Sequence, residues 1–346
     1  MKVLIPVEDA LFASAIVGFI SNHDWKPGTE FCIMNVIEPY LTDEAAPGVP
    51  HAPMASLFAA TEKQILSQAQ SLVDSVAARL RKVLPEARLE SLVLKGHITD
   101  EILQRAKNEE IDLIVAGSHG RNGFQRFFLG SVSFILATEA PCSVVLVKPD
   151  EDILDDWTKI EHHHSADAEE LLTRLEHKIR DQKNKRIMLA LDESSNSDQI
   201  VDFVMHHSWA VAPHFQLITV LRRPEHGIFP VTEALTELYE DKVKIRRSTL
   251  RRLALKMRDH YHSPHIEESL LEGDPKETIV EAARLWGADL IVVGCHYRNA
   301  LQRMAISSVS MAVLSTAPCS VLLLKEKQVS SSSRKEQIAE LGAVQN

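Results

Sequence analysis

One stretch of the sequence has the residue types of a phosphate-binding loop. It covers residues 117–133 (GSHGRNGFQRFFLGSVS), with glycines at Gly117, Gly120 and Gly130 and a serine at Ser131. Glycine lets the backbone take positive φ and approach an anion, and the free N–H groups of a helix's first turn bind phosphate. Because an apolar run precedes this stretch and a breaker-free segment follows it, the sequence predicts a buried strand, a glycine loop and a helix.

Other residues in the loop have two interpretations each. The side chain of His119 could contact phosphate as a cation or hydrogen-bond donor. A loop histidine at least as often contributes only its backbone N–H. Arg121 and Arg126 could pair with the β- or γ-phosphate, although loop arginines are more often solvated. A glycine-rich turn between a strand and a helix is often only a turn, so the loop alone leaves both interpretations open.

The elements that must position this loop occur twice in the chain. Val3-Leu-Ile-Pro-Val returns 184 positions later as Ile187-Met-Leu-Ala-Leu, and Ala140-Pro-Cys-Ser-Val returns 177 positions later as Ala317-Pro-Cys-Ser-Val. Each copy has five strand-like runs separated by helical stretches, which predicts an α/β fold with a doubly wound parallel sheet. We therefore expect two tandem Rossmann-like domains, each with a five-stranded sheet.

The repeat also suggests where the domains begin and end. We predict a first domain over residues 1–149, a linker with a helix over 150–184, a second domain over 185–326 and a mobile C-terminal tail over 327–346. The linker begins with an acidic run, and the tail contains four consecutive serines near its start, which is typical of segments between or beyond folded domains.

Composition narrows the class of protein. The chain has 346 residues and a formal net charge of −10, which argues against nucleic acid or an anionic membrane as the main partner. No apolar run approaches the length of a membrane span, and the N-terminus lacks the features of a signal peptide. Four cysteines, none of them in CxxC spacing, suggest buried thiols in a reducing compartment. We therefore expect a cytoplasmic protein.

Together these motifs resemble the universal stress protein family. The pattern Gly117-x2-Gly120-x9-Gly130-Ser131 looks like the family's ATP-binding signature, and the first and last strands of both copies are similar to the family's strands. The resemblance covers both copies. It implies the strand order 3-2-1-4-5, pairing of domains through the last strand, and a stress-response regulator that binds ATP or AMP, with or without Mg²⁺, with little or no turnover.

The resemblance also implies which residues contact the nucleotide. Adenine and ribose would lie at the ends of the first two strands, and the phosphates in the glycine loop. The residues at these positions are Pro6, Val7, Glu8, Asp9 and Val36 for adenine and ribose, and Ala116, Gly117, His119, Gly120, Gly130, Ser131, Val132 and Ser133 for the phosphates.

Both copies depart from the family pattern. In the first copy the family's aspartate falls on Glu8, with the neighbouring Asp9 as an alternative ribose contact, whereas the second copy keeps Asp192.

The second copy instead changes the loop. Tyr297 replaces Gly120, and Ser307 replaces Gly130. A tyrosine opposes positive φ by roughly 1 kcal/mol and fills the space that phosphate needs. We therefore predict one competent nucleotide site, in the first copy.

Two other functions stay open from the sequence alone. The common catalytic signatures, such as GxxxxGKS/T and HExxH, do not occur, so an ATP-dependent enzyme with slow ATPase or nucleotidyl chemistry is the second hypothesis. A ligand-free interaction scaffold is the third. We also expect an unidentified protein partner and an intrachain pseudo-dimer formed by the apolar last strands, with a homodimer as a further possibility.

Two further motifs favour simple interpretations. His162-His-His164 lacks the spacing of a zinc site, so we predict no metal there. The basic stretch Lys242–Arg258 is typical of a solvated helix face, with an acidic partner or nucleic acid as the alternative.

Overall fold

The structure is a computed structural model that describes residues 1–38, 52–118, 129–149, 185–192, 196–209, 213–223, 232–261, 265–295 and 306–325, without the side chains of 52–59 and 208. The predicted linker over 150–184 and tail over 327–346 lie outside these ranges. His119, Gly120 and Tyr297 lie outside them as well.

The described part of the first half alternates strands and helices. In chain order these are β1 (Lys2–Pro6), α1 (Ala10–Ser21), β2 (His23–Asp24), β3 (Glu30–Ile37), α2 (Ala52–Val83), β4 (Arg88–Lys95), α3 (Ile98–Asn108), β5 (Leu113–Gly117), α4 (Ser131–Glu139) and β6 (Ser143–Val147).

The second half repeats this order. Its elements are β7 (Arg186–Ala190), α5 (Asn196–His206), β8 (Ser208–Trp209), β9 (His214–Leu221), α6 (Glu233–Tyr261), β10 (Ile266–Glu272), α7 (Pro275–Trp286), β11 (Leu290–Gly294), α8 (Ser308–Thr316) and β12 (Ser320–Leu324).

Within the described ranges, ten strands form one sheet in the order β10-β9-β7-β11-β12-β6-β5-β1-β3-β4. Inside each half all neighbouring strands run parallel, and the order of the five long strands is 3-2-1-4-5. The predicted fold class is therefore confirmed. In such a sheet the side chains alternate between the faces: Val3 and Ile5 lie in one apolar core, and Leu4 lies in the other. Each core includes residues from both halves, so the two halves share an apolar core on each face of the sheet.

The two halves meet through their last strands. β6 and β12 pair antiparallel, with Val145 opposite Leu322. This is the intrachain pairing expected for two apolar edge strands, and it removes both edges from solvent. The five-stranded parallel sheets are thus halves of one mixed sheet.

A lysine at the end of each last strand crosses this junction. Lys148 Nζ donates to the carbonyl of Ala317, the C-cap of α8, and Lys325 Nζ donates to the carbonyl of Ala140, the C-cap of α4; both distances are 2.8 Å. The negative end of a helix dipole attracts a cation, so each half holds the other's helix terminus. Burial lowers the pKa of both lysines from the ordinary value of 10.5 to about 8.

These lysines predict a pH dependence of stability. Between pH 8 and 10.5 the unfolded chain binds more protons at these amines than the folded chain, so their contribution to the free energy of unfolding rises with pH. From pH 7 to 9.5 we expect the wild type to gain about 1–2 kcal/mol per lysine relative to a Lys148→Met/Lys325→Met variant. Urea unfolding at several pH values measures this difference.

The matched control for that experiment is Lys107→Met, which removes a charge from the exposed face of α3. A constant stability difference between the wild type and the double variant over this pH range would contradict the assignment. A loss of wild-type stability relative to the double variant as the pH rises would contradict it as well.

A second, much smaller contact joins the halves away from the main sheet. β2 and β8 form a two-stranded antiparallel ribbon in which His23 lies opposite Trp209. We call β2 and β8 together the inter-half ribbon.

Candidate functional site

The carboxyl ends of β1, β3 and β5 form the crevice where the strand order of the first half reverses, between β1 and β5. Open α/β sheets bind ligands at this kind of point. The predicted residues that the structure describes are gathered here. Pro6 ends β1 and Val7 to Asp9 follow it, Val36 lies in β3, Ala116 and Gly117 end β5, Gly130 caps α4, and Ser131 to Ser133 begin α4.

Backbone and side-chain hydrogen bonds hold the tips of β1 and β3 together. The N–H of Val7 donates to the carbonyl of Met34 at 2.8 Å, and Nδ2 of the buried Asn35 donates to the carbonyl of Val7 at 2.7 Å. Val36, the next residue, is half-buried beside them. Sequence reasoning missed Asn35; a polar residue inside an otherwise apolar strand was the signal that could have identified it.

The two acidic residues after β1 differ in their surroundings. Asp9 is the N-cap of α1, and its Oδ1 accepts from the N–H of Phe12 at 2.9 Å. Glu8 is exposed. The cap bond uses one oxygen of Asp9 for local structure, and Glu8 is the more exposed carboxylate of this pair.

Gly117 is required by close packing against α1. A Cβ built on Gly117 would lie 2.8 Å from Cδ1 and 3.1 Å from Cβ of Phe12, whose side chain is buried. These Phe12 atoms belong to a buried side chain and include its Cβ, so they cannot move away from an added methyl group. Phe12, which the sequence did not single out, therefore packs directly against this glycine.

We expect Gly117→Ala to lower the free energy of unfolding by about 1–3 kcal/mol, because the added methyl group overpacks this contact. At the equivalent Gly294 the nearest atoms, Cβ of Asn196 and Cδ1 of Ile200, are 3.3 Å from a built Cβ. Gly294→Ala is the matched control and should cost less. Chemical denaturation compares the two variants, and an equal or larger cost at Gly294 would contradict the packing argument.

The two ends of the glycine loop are tied together. The N–H of Ser118 donates to the carbonyl of Val147 at 3.1 Å, and the carbonyl of Ser118 accepts from the N–H of Gly130 at 3.0 Å. The loop that carries His119 and Gly120 therefore leaves and returns at one point beside the crevice. Ser118 is buried, and no pattern in the sequence indicated this role.

The loop returns at the N-terminus of α4. Gly130 is the N-cap, with φ −60° and ψ 151°, and it forms no side-chain cap hydrogen bond because it has no side chain. Ser131 is exposed and Val132 half-buried. Ser133 is buried, and its Oγ donates to the carbonyl of Gly117 at 2.8 Å, so this hydroxyl fastens α4 to β5.

The same helix terminus in the second half is capped by its own side chain. Ser307 has nearly the same backbone angles as its glycine counterpart, φ −65° and ψ 150°, but its Oγ accepts from the N–H of Ser310. The distance is 3.0 Å. Ser310 Oγ donates to the carbonyl of Gly294 at 2.8 Å, which matches the first half. The two halves thus share the helix anchor and differ at the cap.

The end of β7 is also more self-contained than the end of β1. The Oγ of Ser197 accepts from the N–H of Asp192 and donates to its carbonyl, each at 2.8 Å. Asn196 Nδ2 donates to the carbonyl of Cys295, the counterpart of Ser118, at 2.9 Å. The second half therefore has Asp192 at the position of Glu8, and side chains of α5 bind backbone groups at this end of its sheet.

The remaining sequence motifs do not join this site. His162-His-His164 lies outside the described ranges, and no group of three or more potential metal-ligating side chains occurs among the described residues. On α6, four basic residues form ion pairs: Lys244, Arg252, Lys256 and Arg258. Arg252 makes two hydrogen bonds to the carboxylate of Asp198. No helix in the described part of the chain could cross a membrane.

Comparison with known proteins identifies relatives of both halves. The model of the "Universal stress protein family" matches residues 1–148 and 183–325. Universal stress protein Rv2005c of Mycobacterium tuberculosis is 26% identical over 223 residues, which is 63% of each chain. A universal stress protein of Thermus aquaticus is 35% identical over 86 residues, 25% of this chain and 63% of the relative. The matched regions span about three fifths of these relatives' own lengths.

Solved structures show the same architecture over nearly the whole chain. A universal stress protein from Archaeoglobus fulgidus aligns with TM-score 0.57 and 17% identity, covering 94% of this chain and 98% of that one. A protein from Pseudomonas aeruginosa described as a putative universal stress protein aligns with TM-score 0.54 and 15% identity, covering 98% and 97%. At these identities the likeness concerns the fold.

Proposed function

Because this chain belongs to the universal stress protein family, as two copies of the family's domain, we propose that it is a stress-response regulator that binds one adenine nucleotide. The proposed site is the crevice of the first half. We propose ATP or AMP as the ligand, with or without Mg²⁺, and little or no turnover.

The observation that carries this proposal is the difference between the two helix caps. In the first half the N-cap Gly130 supplies no side-chain acceptor to the first-turn N–H groups of α4, next to the crevice. In the second half the hydroxyl of Ser307 already accepts from the first-turn N–H of Ser310 in α8. Since free first-turn N–H groups and the helix dipole attract phosphate, the first half is the better anion site.

The proposed binding mode follows from the crevice. Adenine would lie against Val7 and Val36, and the ribose would contact Glu8 or Asp9. The phosphates would meet the backbone of Gly117, His119, Gly120 and the first turn of α4. The hydroxyl of Ser133 is already bound to the Gly117 carbonyl, so we propose that Ser133 contacts a phosphate through its backbone N–H. We propose that Ser131 contacts a phosphate as well.

Thermal unfolding with and without nucleotide tests this function. A ligand that binds only the folded state adds about 2.7 kcal/mol of stability at 100 times its Kd, so ATP or AMP should raise the unfolding temperature and GTP should do so less. A phosphate-release assay on the same sample separates regulation from catalysis. Fast release would favour the ATP-dependent enzyme, and no shift with any nucleotide would favour the scaffold.

We also propose a cytoplasmic location and an unidentified protein partner. All four cysteines are free thiols, and three of them, Cys32, Cys142 and Cys295, are buried. Such thiols suit a reducing compartment.

A further inference from the structure

The inter-half ribbon is built from one short motif that occurs in both copies. His23-Asp-Trp25 returns 184 positions later as His207-Ser-Trp209, the same offset that relates the first strands. β2 and β8 bring the two motifs together across the junction. The contact is therefore reciprocal: the same surface of each half meets the other, as in a symmetric dimer.

The four rings of these motifs are packed against one another. The centroids of His23 and His207 lie 5.2 Å apart. Each histidine also contacts the tryptophan of the other half, His23 with Trp209 at 5.1 Å and His207 with Trp25 at 5.6 Å. The indole N–H groups point back into their own halves, with Trp25 Nε1 donating to the carbonyl of Ile20 at 2.8 Å.

The surroundings of both histidines favour the neutral ring. His23 is 5% exposed, and its Nδ1–H donates to the carbonyl of Phe19 at 2.6 Å, which leaves Nε2 as the unprotonated nitrogen. Nε2 of His207 is buried and has no hydrogen-bond partner among the residues that the structure describes. Protonation of His207 would therefore leave its Nε2–H as an unsatisfied donor among aromatic rings.

The charged groups around the pair are mostly positive. His207 and then Lys185, which precedes β7, disfavour a charge on His23. Lys26, just after β2, disfavours a charge on His207, and the nearby Asp24 acts in the opposite direction. Burial is the main cause that lowers the pKa of both rings, and it brings the pKa of His207 to about 4. Both histidines are therefore neutral at pH 7.5.

We propose that the His23–His207 pair is a proton-sensitive contact: acidification opens the inter-half ribbon, while the β6–β12 pairing keeps the two halves joined. Opening lets both rings take up protons in water. This proton-sensitive contact changes the arrangement of the two halves, and it does not depend on nucleotide binding.

The expected size follows from linkage. A histidine whose pKa is lowered in the closed form stabilises that form above the ordinary value of about 6.5, and the stabilisation is lost as the pH falls toward 4. From pH 7.5 to pH 5.0, His207 alone should raise the ratio of open to closed ribbon on the order of 30-fold. His23 adds to this in the same direction.

Amide hydrogen exchange followed by mass spectrometry tests the proposal on the full chain, with rates corrected for the intrinsic effect of pH. Protection of residues 22–25 and 207–209, which contain the inter-half ribbon, should fall about 30-fold or more between pH 7.5 and pH 5.0. Protection of β6 and β12 should change much less. Unchanged ribbon protection in the wild type would overturn the proposal without any variant.

Variants identify the titrating groups. His23→Asn keeps a donor to the Phe19 carbonyl and His207→Phe keeps a ring, so the double variant should lose the pH response of the ribbon. If the double variant does not fold, His207→Phe alone should reduce the response. His265→Asn is the matched control, because it breaks the His214–His265 stack, which lies at the surface. An equal response in the double variant, or its loss in the control, would refute the assignment to His23 and His207.

Discussion

Replacing Gly120 by tyrosine should remove ATP binding. The tyrosine side chain opposes the backbone conformation that a phosphate cradle needs and occupies the space of the phosphate. We expect the affinity to fall by about 100-fold or more, which corresponds to roughly 3 kcal/mol of phosphate contacts. Equilibrium dialysis with labelled ATP measures the loss.

The second copy supplies the matched control. Tyr297 occupies the position that corresponds to Gly120, so Tyr297→Ala changes the same place in the other loop. Because the proposed site lies in the first half, Tyr297→Ala should leave ATP binding unchanged. Binding that survives Gly120→Tyr but is altered by Tyr297→Ala would move the site to the second half.

A subtler exchange at Gly130 should separate affinity from stability. Gly130 and Ser307 have nearly equal backbone angles, so a serine at 130 fits without strain and can cap α4 as Ser307 caps α8. We expect Gly130→Ser to change stability by only a few tenths of a kcal/mol, because glycine is already an acceptable N-cap. Affinity for ATP should fall about 10-fold or more, because the hydroxyl competes for an N–H that phosphate needs.

Calorimetric titration and chemical denaturation of the same variant provide both numbers. The reciprocal change, Ser307→Gly, should leave ATP binding as it is, since the second loop still carries Tyr297. Undiminished affinity in Gly130→Ser would show that the open cap of α4 does not bind phosphate.

The sequence predicted the main sheet because its strands carry their own signals. Buried parallel strands are continuous apolar runs, as in residues 113–116 and 290–293, and the repeat doubled every such signal. The apolar last strands also indicated edge pairing, which β6 and β12 form. The ribbon strands β2 and β8 escaped prediction because two residues are too few to show a period, and only the other half gives them a partner.

The candidate site was predictable at its glycines and less so at its hydrogen bonds. Glycine is informative because few residues can replace it where atoms are crowded, as Phe12 crowds Gly117. Polar side chains are less informative because their partners depend on the fold. Asp9 caps α1, Ser133 fastens α4 to β5, and Asn35 holds the Val7 carbonyl. None of these bonds follows from spacing alone.

Isothermal titration of the nucleotide-stripped chain with ATP and Mg²⁺ counts the nucleotide sites. We expect one ATP per chain, bound in the first half, and no bound ATP in Gly120→Tyr. Two sites per chain would contradict the distinction between the open cap at Gly130 and the closed cap at Ser307. No binding at all would contradict the nucleotide site itself.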